Sequence, residues 1–233
     1  LAYGIRYDDA RARQLELDAA EYFLNDVART PEGLIAYHSN PQAGRIWVDA
    51  LYMTMPLLAK AGVVTGETAY FDEVIAQILG FTEKLRDPDV GLYHQGWNWH
   101  GPGPSPGFWG RANGWAIVAI TEALDAIPAD HPGRDELLAL YQDFAAALVR
   151  VQGVDGLWHQ LLNRPDTYAE TSATGLILYG LARGVQRGWL PAEYAFNVDR
   201  GYRGLTSQIS LLGDIENVSP GTSTQSSEGG YAR

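Results

Sequence analysis

The 233-residue chain contains no cysteine. That absence rules out disulfides, thiolate metal sites and cysteine nucleophiles. Positive charge is scarce as well: 17 Lys+Arg stand against 28 Asp+Glu, a formal net charge of −11. Such a balance argues against broad nucleic-acid binding, which needs a basic face, and against adsorption to an anionic membrane. An anionic ligand would therefore have to be held by a few local residues. No apolar run approaches the roughly 18 residues of a membrane span. The opening Leu1-Ala2-Tyr3-Gly4 carries no Met, basic segment or apolar h-region. The expectation is a cytoplasmic chain, trimmed or beginning inside a longer one. Also missing are a Gly-x-Ser-x-Gly elbow, a phosphate-cradling Gly-x-x-x-x-Gly-Lys and a His-Glu-x-x-His pair. Gly101-Pro102-Gly103 follows no strand, which makes a dinucleotide site a poor reading.

What is present is helical periodicity. Around residues 11–29, Leu15, Leu17, Ala20, Phe23, Leu24 and Val27 fall on one stripe. Similar segments occupy about 46–62, 67–86, 109–126, 134–151, 169–186 and 192–209, and no long alternating run suggests a large sheet. Pro56 should kink the second helix or shift its start. The connections repeat: Gly33-Leu34-Ile35, Gly91-Leu92-Tyr93-His94-Gln95 and Gly156-Leu157-Trp158-His159-Gln160 are alike, with a weaker copy at Gly213-Asp214-Ile215-Glu216. Their glycines are 58, 65 and 57 residues apart. One helical hairpin cannot bury both faces, so the copies must stack. The expected fold is all-α, a single domain over 1–233 built as a partial α/α toroid of hairpins. Each extended turn follows the second helix of a pair, which gathers the turns at one mouth. The Ser/Thr/Gly-rich stretch 214–233 reads as a loop or frayed end.

Four segments could carry chemistry. Asp49 lies among Ile46, Trp47, Val48, Leu51, Tyr52 and Met53. A carboxyl in so dry a setting has its neutral form favoured, as a general acid requires; equally, it could cap the helix or pair with Arg45. The loop His94-Gln95-Gly96-Trp97-Asn98-Trp99-His100 offers donors and indoles that could face a sugar, or tryptophans that merely plug the toroid. A metal site from His94 and His100 lacks the further ligands such sites want. In Phe108-Trp109-Gly110-Arg111-Ala112-Asn113-Gly114-Trp115, the guanidinium of Arg111 suits a carboxylate, in a ligand or in an internal acid. Gly110 and Gly114 permit close approach. Glu170 and Ser172 could reach a ligand or serve as helix caps. His159 suits a satisfied end-of-core histidine, and His38 and His131 a surface loop.

Together these motifs resemble the unsaturated rhamnogalacturonyl hydrolases of glycoside hydrolase family 105, which are similar to the unsaturated glucuronyl hydrolases of family 88. The resemblance spans about residues 20–220 and implies an (α/α)6 barrel. It also implies an activity: removal of a 4,5-unsaturated uronic acid from the non-reducing end of lyase-generated oligosaccharides, rhamnogalacturonan or pectin fragments above all. An aspartic acid protonates C4 of the enol ether, water adds at C5, and the hemiketal falls apart. Carried over onto this sequence, Asp49 becomes the proton donor and water activator and His94 a substrate-orienting donor. Trp109 and Trp115 stack around the uronate, Arg111 meets its polar side, and Trp97 lines the same site. Trp47 and Met53 dry the pocket. No metal and no organic cofactor is implied, and the partner is an oligosaccharide.

The sequence departs from the family pattern at Ala50 and Asn98, where acids are common. The front hairpins and the closing C-terminal helices have no counterpart, which would leave apolar helix faces bare and invite oligomerisation. Two further readings stay open. One is another α/α-toroid enzyme, an inverting glycosidase, epimerase or lyase, using Glu170 or Asp155 as a second carboxylate. The other is a toroid that only binds sugar.

Overall fold

A computed structural model describes residues 9–37 and 41–232; His38 lies outside them. Among these residues, seven long helices follow in order: α1 Ala10–Asn25, α2 Asp49–Thr65, α3 Thr68–Leu85, α4 Gly110–Ala126, α5 Arg134–Arg150, α6 Thr171–Arg187 and α7 Tyr194–Thr206. A short α8, Glu228–Tyr231, comes near the end. Two two-residue strands, β1 Ile46–Trp47 and β2 Gly96–Trp97, pair antiparallel with Ile46 opposite Trp97 and Trp47 opposite Gly96.

Helices α2, α4 and α6 pack side by side as an inner row, and α1, α3, α5 and α7 back onto them. Sequence dictates which helix goes where. Helix α4 is apolar nearly all round, burying Ala112, Ala116, Ile117, Val118, Ala119, Ile120, Ala123 and Leu124, as a central helix must. Helix α7 buries only Gly201 and Gly204 and shows Phe196 and Tyr202 to solvent. Small residues set the spacing of the inner row. A Cβ on Gly110 would lie 2.6 Å from the His159 carbonyl oxygen, and one on Gly114 would lie 2.8 Å from Leu176. The close approach expected of both glycines is therefore realised.

The four repeated turns share one geometry. Gly33, Gly91, Gly156 and Gly213 have φ of 89°, 80°, 88° and 88°, the left-handed region that glycine enters without penalty. In each copy an upstream N–H closes the turn on the carbonyl after the glycine: Thr30 on Leu34, Asp87 on Leu92, Gly153 on Leu157 and Ser210 on Asp214. The fourth copy, weak in sequence, is complete in backbone. It differs in side chains: Leu34, Leu92 and Leu157 are buried, whereas Asp214, Ile215, Leu211 and Leu212 are exposed. Exposed apolar side chains of the kind expected on the last helix are present on α7, at Phe196 and Tyr202.

Three expectations need correction. The segment from 46 does not begin as helix: Ile46–Trp47 is strand, and α2 starts at Asp49 and runs through Pro56. Leu15 is exposed, so it does not belong to the buried stripe of α1. The tail is not frayed. Residues 214–227 have little regular structure, yet Ser219 and Thr224 are buried, as is Tyr231 of α8, and the segment crosses the mouth as a strap. The Thr171 N–H and hydroxyl donate to the carbonyls of Asn217 and Glu216, which fixes where it crosses.

Candidate active site

The inner helices all begin at the mouth, and Asp49, Arg111 and Ser172 are the first or second residues of α2, α4 and α6. Three elements meet at Asp49. The Val48 N–H donates to the Gln95 carbonyl, extending the β1–β2 ladder to the start of α2. The carboxyl is buried and its Oδ2 has no hydrogen-bond partner among the described residues. Burial pushes its pKa from 3.8 up to about 7; its own backbone N–H and the charge of Arg111 pull the other way and do not offset it. Neither bland reading of Asp49 holds. Helix α2 has no side-chain cap, and Arg45 donates to the Asn98 carbonyl with its guanidinium over Trp99.

Arg111 holds the strap. Its Nη1 donates to the Ser219 carbonyl at 2.8 Å and to Ser172 Oγ at 3.2 Å, and its Cζ lies 4.8 Å from the centre of the Trp109 ring. Both hydrogen-bond partners are uncharged, so the guanidinium charge is not neutralised by an internal acid through them. Nη2 faces Gly221, where a Cβ would stand 3.4 Å away. Glu170 is saturated. Fully buried at the N-cap of α6, it accepts from the N–H groups of Ser172, Ala173 and Ser219 and from the Ser172 hydroxyl. It is the cap that the sequence allowed, and it has no oxygen to spare for a second catalytic role. Asp155 takes the Leu157 N–H in an outer cleft with His159.

The family model for Glycosyl Hydrolase Family 88 matches residues 3–233. The chain belongs to that family. It is 31% identical over 219 residues to the unsaturated rhamnogalacturonyl hydrolase YesR of Bacillus subtilis (strain 168), covering 92% of this chain and 62% of the relative. It is also 31% identical over 187 residues to the unsaturated 3S-rhamnoglycuronyl hydrolase of Alteromonas sp. (strain LOR), covering 77% and 45%. The structure superposes on a protein from Klebsiella pneumoniae described as a possible member of the GH105 family. That match has a TM-score of 0.90 at 30% identity and covers 100% of this chain and 62% of the other. This family 88 chain thus spans about three-fifths of the length of YesR and of the Klebsiella protein.

Within that family frame, the residues carried over from the motifs do not all converge. Trp47 and Met53 line a cavity of about 490 Å³ with Asp49, Tyr37 and Phe23. Met53 is 57% exposed, so it forms the rim and does not dry the interior. Trp115 stacks on Tyr52 at 4.5 Å, one turn below Arg111. Trp109 is buried, its Nε1 donating to Gln160 Oε1, and its face is taken by Arg111. It therefore backs the guanidinium, with its N–H and one face committed within the protein. His94 is engaged within its own loop. Its Nδ1 is 3.1 Å from the Gly107 carbonyl, its ring packs on Phe108, and burial holds its pKa below the usual value. Trp97 lies under Lys84. Its neighbour Trp99 is the indole that joins Trp47 and Tyr37. His131, expected in a surface loop, is held 3.3 Å from Asp72 and edge-on to Phe71. His159 is satisfied as expected, its Nδ1 at 2.6 Å from the Thr167 carbonyl.

Gln95, Gln160, Ser219 and Tyr231 also stand around Arg111 and the strap, and local sequence does not single them out. The strap composition hid the last two. Strand alternation could have found Gln95, because His94 and Gln95 must point to opposite faces. Among the described residues, no three His, Asp or Glu side chains cluster so as to hold a metal ion, and no helix is long and apolar enough to cross a membrane.

Proposed function

We propose that this protein is a glycoside hydrolase that removes a 4,5-unsaturated uronic acid from the non-reducing end of lyase-generated oligosaccharides, with rhamnogalacturonan-type fragments as substrates. The single observation that carries the reading is Asp49: a buried carboxyl with an unpartnered oxygen and a pKa of about 7, under the charge of Arg111. Names borne by relatives, such as unsaturated rhamnogalacturonyl hydrolase, lend it support. So does the saturation of Glu170, one of the two acids that could have served as a second carboxylate; the other, Asp155, lies in an outer cleft, which disfavours a two-carboxylate glycosidase built on either.

The chemistry runs on one residue. Protonated Asp49 gives its proton to C4 of the enol ether, leaving an oxocarbenium ion centred on C5. One water molecule adds at C5 and passes a proton back to the carboxylate. The resulting hemiketal opens by breaking C5–O5, giving a C5 ketone and a hemiacetal at C1. Collapse of that hemiacetal breaks the C1–O bond, releases the remaining sugar as an alcohol and leaves a keto-uronate with an aldehyde at C1. An acid with a pKa near the working pH can both give and take that proton. Arg111, with Nη2 uncommitted, takes the uronate carboxylate. Neither a metal nor an organic cofactor has a part in this sequence of steps.

Turnover is followed by loss of the enol-ether ultraviolet absorbance on a panel of unsaturated disaccharides. The wild type should hydrolyse these and leave their saturated counterparts untouched. Asp49→Asn should lower kcat by about 10²–10⁴. Undiminished turnover by that variant, or equal rates on saturated substrates, would remove the reading.

A further inference from the structure

We infer that Gln95 is a substrate-positioning residue whose amide oxygen accepts a hydrogen bond from a hydroxyl of the bound sugar. The inference rests on the uronyl-hydrolase reading above and adds to it the residue that selects a hydroxylated ring.

Gln95 is 1% exposed, and its Oε1 has no hydrogen-bond partner among the described residues. A buried acceptor left unpaired is costly, so a site that keeps one is built to receive a donor. The amide has a definite direction, because Nε2 donates to the Thr222 carbonyl at 3.3 Å. Its backbone carbonyl receives the Val48 N–H, which puts Gln95 one residue from Asp49 across the ladder. The strap then closes the circle. Arg111 holds the Ser219 carbonyl and lies against Gly221, and Gln95 holds the Thr222 carbonyl. Asp49, Arg111 and Gln95 are therefore drawn together beneath four consecutive strap residues. Trp47 adds a matching feature from β1: its Nε1–H is also buried without a partner. One unused acceptor and one unused donor beside an acid suit a polyhydroxylated ring. His94, by contrast, spends its Nδ1 on Gly107.

The test is a variant–substrate cycle on the full chain. Gln95→Met, similar in size with neither amide group, is compared with the wild type on an unsaturated uronyl disaccharide and on its 2-deoxy and 3-deoxy analogues. Both KM and the dissociation constant, read by tryptophan fluorescence, are recorded. On the parent disaccharide Gln95→Met should raise both about tenfold, the worth of one hydrogen bond, with kcat within about threefold. On one deoxy analogue the variant and the wild type should bind alike, because the hydroxyl that Gln95 accepts from is gone. Gln95→Glu keeps the acceptor and adds charge, so its KM for the anionic substrate should climb as pH rises. A residue that only pins the strap predicts otherwise. Its loss would be equal on all three disaccharides, with faster amide exchange at 221–224, and that pattern overturns the inference. Wild-type protein that binds without hydrolysis would sink the hydrolase reading alone, since the cycle is still read on dissociation constants. Wild-type protein that binds none of the three overturns both.

Discussion

Asp49 trades stability for reactivity, and the sign of that trade can be worked out. Its folded pKa, about 7, lies above the ordinary 3.8. The folded state therefore prefers the protonated acid. Stability is fully present below about pH 4, is lost as pH rises towards about 7, and stays level above. The difference corresponds to about 4 kcal/mol. Asp49→Asn should accordingly match the wild type in urea melts at pH 4 and exceed it at pH 8, while losing turnover. Equal stability at both pH values would mean that the acid is not buried in solution. Arg111 supplies a second check. Its charge lowers the Asp49 pKa, so Arg111→Met should move the alkaline limb of the kcat/KM profile to higher pH. Arg111→Lys should leave that limb in place while raising KM, because a lysine keeps the charge and loses the planar guanidinium whose Nη1 reaches both Ser219 and Ser172.

Among the elements, the repeated turn matters most, since it delivers each inner helix to the mouth. All four glycines carry positive φ, but their surroundings differ. A Cβ on Gly33 would meet nothing within 4 Å, whereas one on Gly156 would lie 2.2 Å from the Arg200 carbonyl oxygen on α7. Gly33→Ala should therefore cost about 1–2 kcal/mol of left-handed strain alone. Gly156→Ala should exceed it by about 1–3 kcal/mol of overpacking, because backbone cannot swing aside as a side chain can. Urea midpoints at constant m measure the difference. Equal losses would show that α7 yields freely to the turn.

On the scale of the whole molecule, the strap joins the ends of the chain's inner row. Tyr231 is buried, its hydroxyl accepts the Gln225 N–H, and its carbonyl accepts from Gln160, which in turn receives the Trp109 indole N–H. A chain of contacts thus runs from the tail to the backing of Arg111. Tyr231→Ala should lose about 3–5 kcal/mol, which for a chain of this size lowers Tm by about 6–20 °C, and KM should rise because Ser219 no longer steadies the guanidinium. A melting temperature within a degree of the wild type would show that the tail is dispensable.

Much of this was legible in the amino acids. Helix positions follow from apolar periodicity, and the turns from glycines recurring every 57 to 65 residues, because both depend on local spacing and on backbone sterics. Asp49, Arg111 and the Glu170 cap stand where their neighbours imply. What stayed hidden depends on direction and on distant partners. Whether His94 or Gln95 faces inward is set by a two-residue ladder with β1, about fifty residues earlier in the chain. Trp109 and Arg111 share a helix start, yet only packing against Gln160 turns the indole into a backing plate. The strap is legible nowhere in its own composition, since serine, threonine and glycine are ordered there by groups that α4 and α6 present. Local chemistry fixed which groups exist and which helices form; tertiary packing decided which of them meet, because a hydrogen bond between residues a hundred positions apart leaves no trace in either residue's neighbourhood.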